Sequence, residues 1–259
     1  VLVNSTWTYG HISGLWGKRN TFIVYPPCDV EGLAGYPLDD SGRVARRLFV
    51  SIGQFRPEKD HALQLRAVQH LLTKYQSLSK KNKKILSDVK LYLIGSCRDE
   101  GDQSRVKILQ ELAKELDVEN HVEFKLNAPF SDLCRWLGEA TAGLHTMWNE
   151  HFGIGVVEMQ TAGCIPIAHD SAGPRMDIVV PSGGVATGLL AETPEEYADA
   201  MAYVLGLDDV GAKSIHWCKW KEGETWTTEE MRVAGRASSQ RFSEECFKNQ
   251  FKVHVRKVV

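Results

Sequence analysis

The chain has no apolar run of membrane length, no cysteine pair at C-x-x-C spacing and almost no net charge. Each absence removes a class of protein. Without about 20 consecutive apolar residues there is no spanning helix, so any membrane association must come from a local surface or from a part not present here. The six cysteines, Cys28, Cys97, Cys134, Cys164, Cys218 and Cys246, are scattered. That suits reduced thiols in a cytosolic compartment better than a disulfide framework or a zinc site. A formal net charge of −2 supplies no basic field for general nucleic-acid binding. No signal peptide opens the chain, and its sequon, Asn4-Ser-Thr6, matters only in a lumenal protein. There is no initiator methionine either. The chain opens on Val1-Leu-Val3, as a fragment beginning inside an earlier domain would.

What is present is a regular alternation. Apolar runs at Leu48–Ile52, Val89–Ile94, Val122–Phe124, Ala142–Met147, Ile165–Ala168 and Gly188–Leu190 read as strands. Amphipathic segments at His61–Tyr75, Arg105–Leu116, Asp132–Ala140, Gly155–Ala162 and Pro194–Leu205 read as helices. Thr193-Pro-Glu-Glu196 supplies an N-cap, a proline at the first helical position and a capping-box glutamate. This alternation predicts an α/β, Rossmann-like domain: a parallel sheet covered on both faces, with ligands at the carboxyl ends of its strands.

Residues 1–26 read as strand, short helix and strand, the end of a preceding domain. Residues 27–47, rich in Gly, Pro and Asp from Glu31 to Arg43, read as a linker. The main domain spans 48–206. Residues 207–259 read as an irregular insertion carrying Trp217, Trp220 and Trp226, then one helical stretch, Glu229–Phe251. Lys80-Lys-Asn-Lys-Lys84 reads as a solvated loop, with contact to anionic lipid headgroups as its functional alternative.

Three motifs fall at the strand ends. In Gly53-Gln-Phe-Arg-Pro-Glu-Lys-Asp-His61 a glycine allows a tight turn, and Arg56 and Lys59 lie just ahead of a helix N-terminus. A planar fork, a mobile point charge and a helix dipole make a diphosphate clamp; a surface loop with two solvated charges is the bland alternative. In Glu150-His-Phe-Gly-Ile-Gly-Val-Val-Glu158 two carboxylates bracket a glycine-eased helix start. A carboxylate can accept from both hydroxyls of a vicinal diol, so Glu158 suits a ribose and Glu150 a donor sugar. Eight residues at helical rise span about 12 Å, near the distance from ribose across a diphosphate to a hexose. Two exposed helix glutamates would be the plain reading, but Val156, Val157 and Met159 predict buried surroundings for Glu158. Ser171-Ala-Gly-Pro174 forms a tight loop at the same edge. Asn127 and Ala128 follow a strand where a nucleobase could pack. His145, His151 and His169 lie nearby in sequence, with no metal-ligand spacing among them.

These three segments resemble the donor-site motifs of retaining GT-B glycosyltransferases. With His145-Thr-Met-Trp-Asn-Glu-His-Phe-Gly153, Val24-Tyr-Pro-Pro-Cys-Asp29 and Asn4-Ser-Thr-Trp7, the resemblance narrows. It points to the GDP-mannose-dependent α-1,2-mannosyltransferases that extend the dolichol-pyrophosphate oligosaccharide for asparagine-linked glycosylation, and it covers residues 1–206. It implies a C-terminal donor domain of GT-B type with a remnant of the acceptor domain, working at the cytosolic face of the endoplasmic reticulum membrane. The missing N-terminal part would supply the membrane segment, and the chain alone would bind nucleotide weakly without transferring sugar. On the same resemblance Gly53, Arg56 and Lys59 hold the diphosphate of GDP-mannose, and Glu150 contacts mannose. Backbone amides of Phe152, Gly153, Ile154 and Gly155 meet sugar and phosphate, and Glu158 meets ribose. No cofactor or metal is implied. The acceptor is a dolichol-pyrophosphate oligosaccharide, and other mannosyltransferases of the pathway are allowed as partners. A UDP- or ADP-sugar enzyme, a NAD-dependent oxidoreductase and a non-catalytic nucleotide-binding domain stand as alternatives.

Overall fold

The structure is a computed structural model describing residues 1–17, 20–208, 210 and 225–255. A small parallel pair opens it: β1 (Leu2–Val3) and β2 (Phe22–Ile23) flank α1 (Thr6–Trp16), whose N-cap Ser5 accepts from Thr8 N. The segment expected to be a linker is partly helical, forming α2 (Val30–Ala34) and α3 (Asp40–Arg46). The reason is tertiary. Arg43 is buried and donates to the carbonyls of Leu137, Ala140 and Ala162, while Leu33 joins the core.

The main domain then follows as β3 (Leu48–Ile52), α4 (His61–Tyr75), α5 (Lys80–Leu86), β4 (Lys90–Gly95), α6 (Glu100–Glu115), β5 (Val122–Leu126), α7 (Phe130–Glu139), β6 (Ala142–His145), α8 (Ile154–Ala162), β7 (Ile165–His169), β8 (Leu189–Ala191) and α9 (Pro194–Val204). The capping box read at Thr193 and Glu196 is formed. The lysine cluster expected as a loop is helix α5. Ser79 caps it, Asn82 and Leu86 are buried on its inner side, and the lysines occupy the outer one.

The six strands pair in the order β5-β4-β3-β6-β7-β8, all parallel. Alternate side chains reach opposite layers. Phe49 packs with Leu65, Val68 and Leu71 of α4, whereas Leu48 and Val50 pack with Leu137 of α7 and Met159 of α8. The chain reverses its direction of sheet-building between β3 and β6, which opens a crevice at their carboxyl ends.

The expected single helix over Glu229–Phe251 is two, α10 (Thr228–Ser239) and α11 (Glu244–Val255), parted by a 3-10 turn at Gln240–Phe242. Phe242 is buried there, its carbonyl accepting from Cys28 N. The tryptophan-rich insertion, up to residue 224 and including Trp217, Cys218 and Trp220, lies outside the described residues. The five described cysteines are free thiols. No helix among the described residues is long and apolar enough to cross a membrane.

Candidate functional site

The crevice is lined by the loops after β3 and β6. After β3 the chain makes a 3-10 turn, Pro57–Lys59, and Asp60 in left-handed conformation caps α4 by accepting from Leu63 N at 3.2 Å. Thr146 holds the two loops together. Its hydroxyl donates to the Lys59 carbonyl at 2.7 Å and accepts from the Gln64 side chain at 2.8 Å. Lys59 therefore projects across the crevice, where its ammonium meets Glu150 Oε2 at 2.9 Å and the Met147 sulfur at 3.2 Å. His145 Nε2 approaches the same oxygen at 3.5 Å. His145, with Lys59, overcomes partial burial and holds the Glu150 carboxyl down at about 2, so it is ionised throughout the ordinary range.

Glu150 stands ahead of the helix, and helical rise begins only at Ile154. The turn between them uses Gly153 at φ 106°, a left-handed region where a side chain would be strained. Gly153 leaves the N-terminus of α8 without a side-chain cap, and the amides of Ile154 and Gly155, at the helix start beside Glu150, have no acceptor among the described residues. The far end of that helix is held firmly. Arg236, Arg43 and Arg232 donate to the carbonyls of Thr161, Ala162 and Gly163, respectively. Three cations at the carboxyl end favour the helix dipole whose positive end points into the crevice.

Glu158 lies within α8 and forms no ion pair with a lysine or arginine among the described residues. Burial raises its carboxyl pKa, and Asp29, facing it from the start of α2, adds to the effect. The Ser171-Ala-Gly-Pro174 loop braces the site from behind. Ser171 Oγ accepts from Asn149 N at 3.0 Å, and Gly173 N donates to the Glu150 carbonyl at 2.9 Å. Asn127, Asn149 and Ala172, like Asp60, adopt positive φ, so four of the loops at this edge each hold a non-glycine residue in a costly conformation.

Of the expected site residues, the structure brings Lys59, Glu150 and the Phe152–Gly155 turn together. Gly53 sits under the Lys59 chain, and its N–H donates to the Ile94 carbonyl. Arg56 is at the rim, 45% exposed and paired with Glu58 at 3.8 Å, outside the Lys59–Glu150 contact. The Asn127 amide is engaged in both directions with the backbone of Cys97, and Ala128 is half-buried beside it. His145 and Thr146 open the His145–Gly153 segment that narrows the resemblance, yet the sequence gives neither of them a role at the site. Their place, at the end of an apolar strand and just ahead of the glutamate segment, is the further signal that marks them.

Chemically, this crevice can hold an anion between an ammonium and free helix amides, and hydroxyl groups at its carboxylates. Residues 41–213 match the family described as "Glycosyl transferases group 1". The chain belongs to that family. Membership of the group 1 glycosyltransferases sets aside the oxidoreductase alternative. Among curated relatives, a human protein named GDP-Man:Man(3)GlcNAc(2)-PP-Dol alpha-1,2-mannosyltransferase is 46% identical over all of this chain and 48% of its own length. The Dictyostelium discoideum protein of that name is 42% identical over all of this chain and 47% of its own. The chain thus spans about half the length of these curated relatives.

Among solved structures, Anabaena HepE in complex with UDP superposes with a TM-score of 0.74 at 21% identity, covering 99% of this chain and 63% of that one. The sucrose-phosphate synthase of Thermosynechococcus elongatus gives 0.71 at 18%, covering 100% and 58%. The fold of this group 1 glycosyltransferase chain is therefore of GT-B type.

Proposed function

We propose that this chain forms the GDP-mannose-binding part of an α-1,2-mannosyltransferase that acts, with retention of configuration, on a dolichol-pyrophosphate oligosaccharide at the cytosolic face of the endoplasmic reticulum membrane. The observation that carries the reading is the 46% identity to the human enzyme of that name along the whole chain. The Lys59–Glu150 contact beside the uncapped start of α8 agrees with it.

In this reading the diphosphate lies against the amides of Ile154 and Gly155, with Lys59 over it and Arg56 at the rim. Glu150 accepts from mannose hydroxyls and Glu158 from the ribose diol. The developing charge is on the leaving diphosphate, so the chain's contribution is to orient the donor and stabilise that charge through Lys59 and the helix end. These groups can neutralise the diphosphate without a metal ion or other cofactor, and no protein nucleophile is required.

Titration of the purified chain with GDP, UDP and ADP tests the reading. GDP is expected to bind tightest. Equal or tighter binding of UDP or ADP would change the donor, and no binding of any of the three would remove the site.

A further inference from the structure

His145 is the last residue of β6, and its position is fixed from two sides. Its strand neighbours β7, and its carbonyl accepts from the Tyr197 hydroxyl of α9 at 2.9 Å. The side chain is buried, 6% exposed, on the floor of the crevice. One ring nitrogen, Nε2, lies 3.5 Å from Glu150 Oε2, while the other, Nδ1, is buried without a hydrogen-bond partner among the described residues. An unpartnered buried donor costs more than an unpartnered lone pair. The favoured tautomer therefore carries its proton on Nε2, the ring nitrogen that lies near the carboxylate.

Lys59 and His145 both reach Oε2, and no hydrogen bond from a described residue reaches Oε1. The two contacts differ in what a donor would do to them. Lys59 has a long, mobile chain and an ammonium that a diphosphate attracts; His145 is packed in the floor and cannot follow.

We infer that His145 is a positioning residue for Glu150: it keeps hold of Oε2 when the donor's phosphate draws Lys59 away, so that Oε1 stays turned toward the sugar. This rests on the reading of the crevice as a GDP-mannose site.

The test titrates GDP and GDP-mannose into the 259-residue chain as wild type, His145→Phe and His145→Gln. Phenylalanine keeps the bulk and removes the N–H; glutamine restores an N–H near the place of Nε2. His145→Phe is expected to bind GDP-mannose about tenfold more weakly, with GDP affinity held to within about twofold and His145→Gln recovering most of the loss. Unchanged GDP-mannose affinity in His145→Phe overturns the inference. So does an equal loss of both ligands, which would make His145 a support of the whole site, and so does a glutamine variant as weak as the phenylalanine one. If wild type itself fails to bind GDP-mannose, the donor reading falls and takes the inference with it, a result visible without any variant.

Discussion

Gly173 and Phe152 meet backbone to backbone: a Cβ built on Gly173 would lie 2.6 Å from both the Cα and the carbonyl oxygen of Phe152. Neither atom is the end of a flexible side chain, so nothing there can swing aside. Gly173 N also holds the Glu150 carbonyl, which makes this contact the back wall of the turn that carries the site. Gly173→Ala should push the 149–153 turn out of place. We expect about 1–3 kcal/mol of lost stability, as for overpacking elsewhere, and GDP binding weakened by more than tenfold. Chemical denaturation and nucleotide titration of the same preparation check the two parts.

Lys59 is the cation that the fold delivers into the crevice, while Arg56 stays at the rim with Glu58. Lys59→Ala should weaken GDP binding by about 1–3 kcal/mol, the cost of a lost charge-assisted bond. Arg56→Ala should cost less, because its guanidinium is already solvated and partly neutralised. Calorimetric titration of both variants with GDP ranks them, and the opposite order would move the clamp to the rim.

Glu150 and Glu158 carry opposite pKa shifts, and this separates their roles. His145 and Lys59 hold Glu150 at about 2, so its stabilising contribution is present above the ordinary carboxylate value and is lost only as pH falls through about 2. Burial, assisted by Asp29, raises Glu158, so the folded state holds that proton more tightly than the unfolded chain does. Its contribution is full below the unfolded value and is lost as pH rises through the folded one. Above the unfolded value Glu158 therefore costs stability. Glu158→Gln should raise Tm at pH 7, with the gain shrinking as pH falls into the carboxylate range, while GDP affinity drops. Thermal melts of the two proteins against pH follow the first effect and GDP titration the second. A variant with lower Tm at neutral pH would contradict the assignment.

The sheet was legible because strands covered by helices show as mostly apolar runs, broken by single polar residues such as Ser51, Lys90 and Glu123, and each of the six runs forms a strand. Less legible were elements whose formation depends on distant partners. Arg43 reads as a surface charge in a Gly-, Pro- and Asp-rich stretch, but it is buried against the carbonyl ends of α7 and α8. Lys80–Lys84 reads as a solvated loop, yet burial of Asn82 and Leu86 on one side is enough to make Lys80–Leu86 helical. Lys59, Glu150 and the turn between Glu150 and α8 were visible as motifs. His145 opens one of those motifs, but its approach to Glu150 was not legible, because it depends on where β6 ends rather than on spacing.

Asp177 ties the N-terminal segment to the main domain. It lies in a π-helical turn, Pro174–Ile178, directly after the loop that braces Glu150, and is 2% exposed. Its carboxylate accepts from Thr6 N and from the Tyr25 hydroxyl, both at 2.9 Å, and from the Thr6 hydroxyl; its carbonyl accepts from Arg241. One buried carboxylate thus serves the start of α1 and the strand-following residue Tyr25, whose hydroxyl is pushed up in pKa by burial and by Asp177 itself. Asp177→Ala leaves these half-buried donors without their acceptor and should cost about 1 kcal/mol per group, below the full penalty of a buried unsatisfied donor because water reaches part of each. Asp177→Asn keeps one acceptor oxygen and should cost less. Hydrogen exchange can separate local from global loss. Early exchange confined to α1 and the Tyr25 segment in Asp177→Ala would mean that this carboxylate anchors the N-terminal piece. Uniform loss across the six-stranded sheet would mean that the whole chain depends on it.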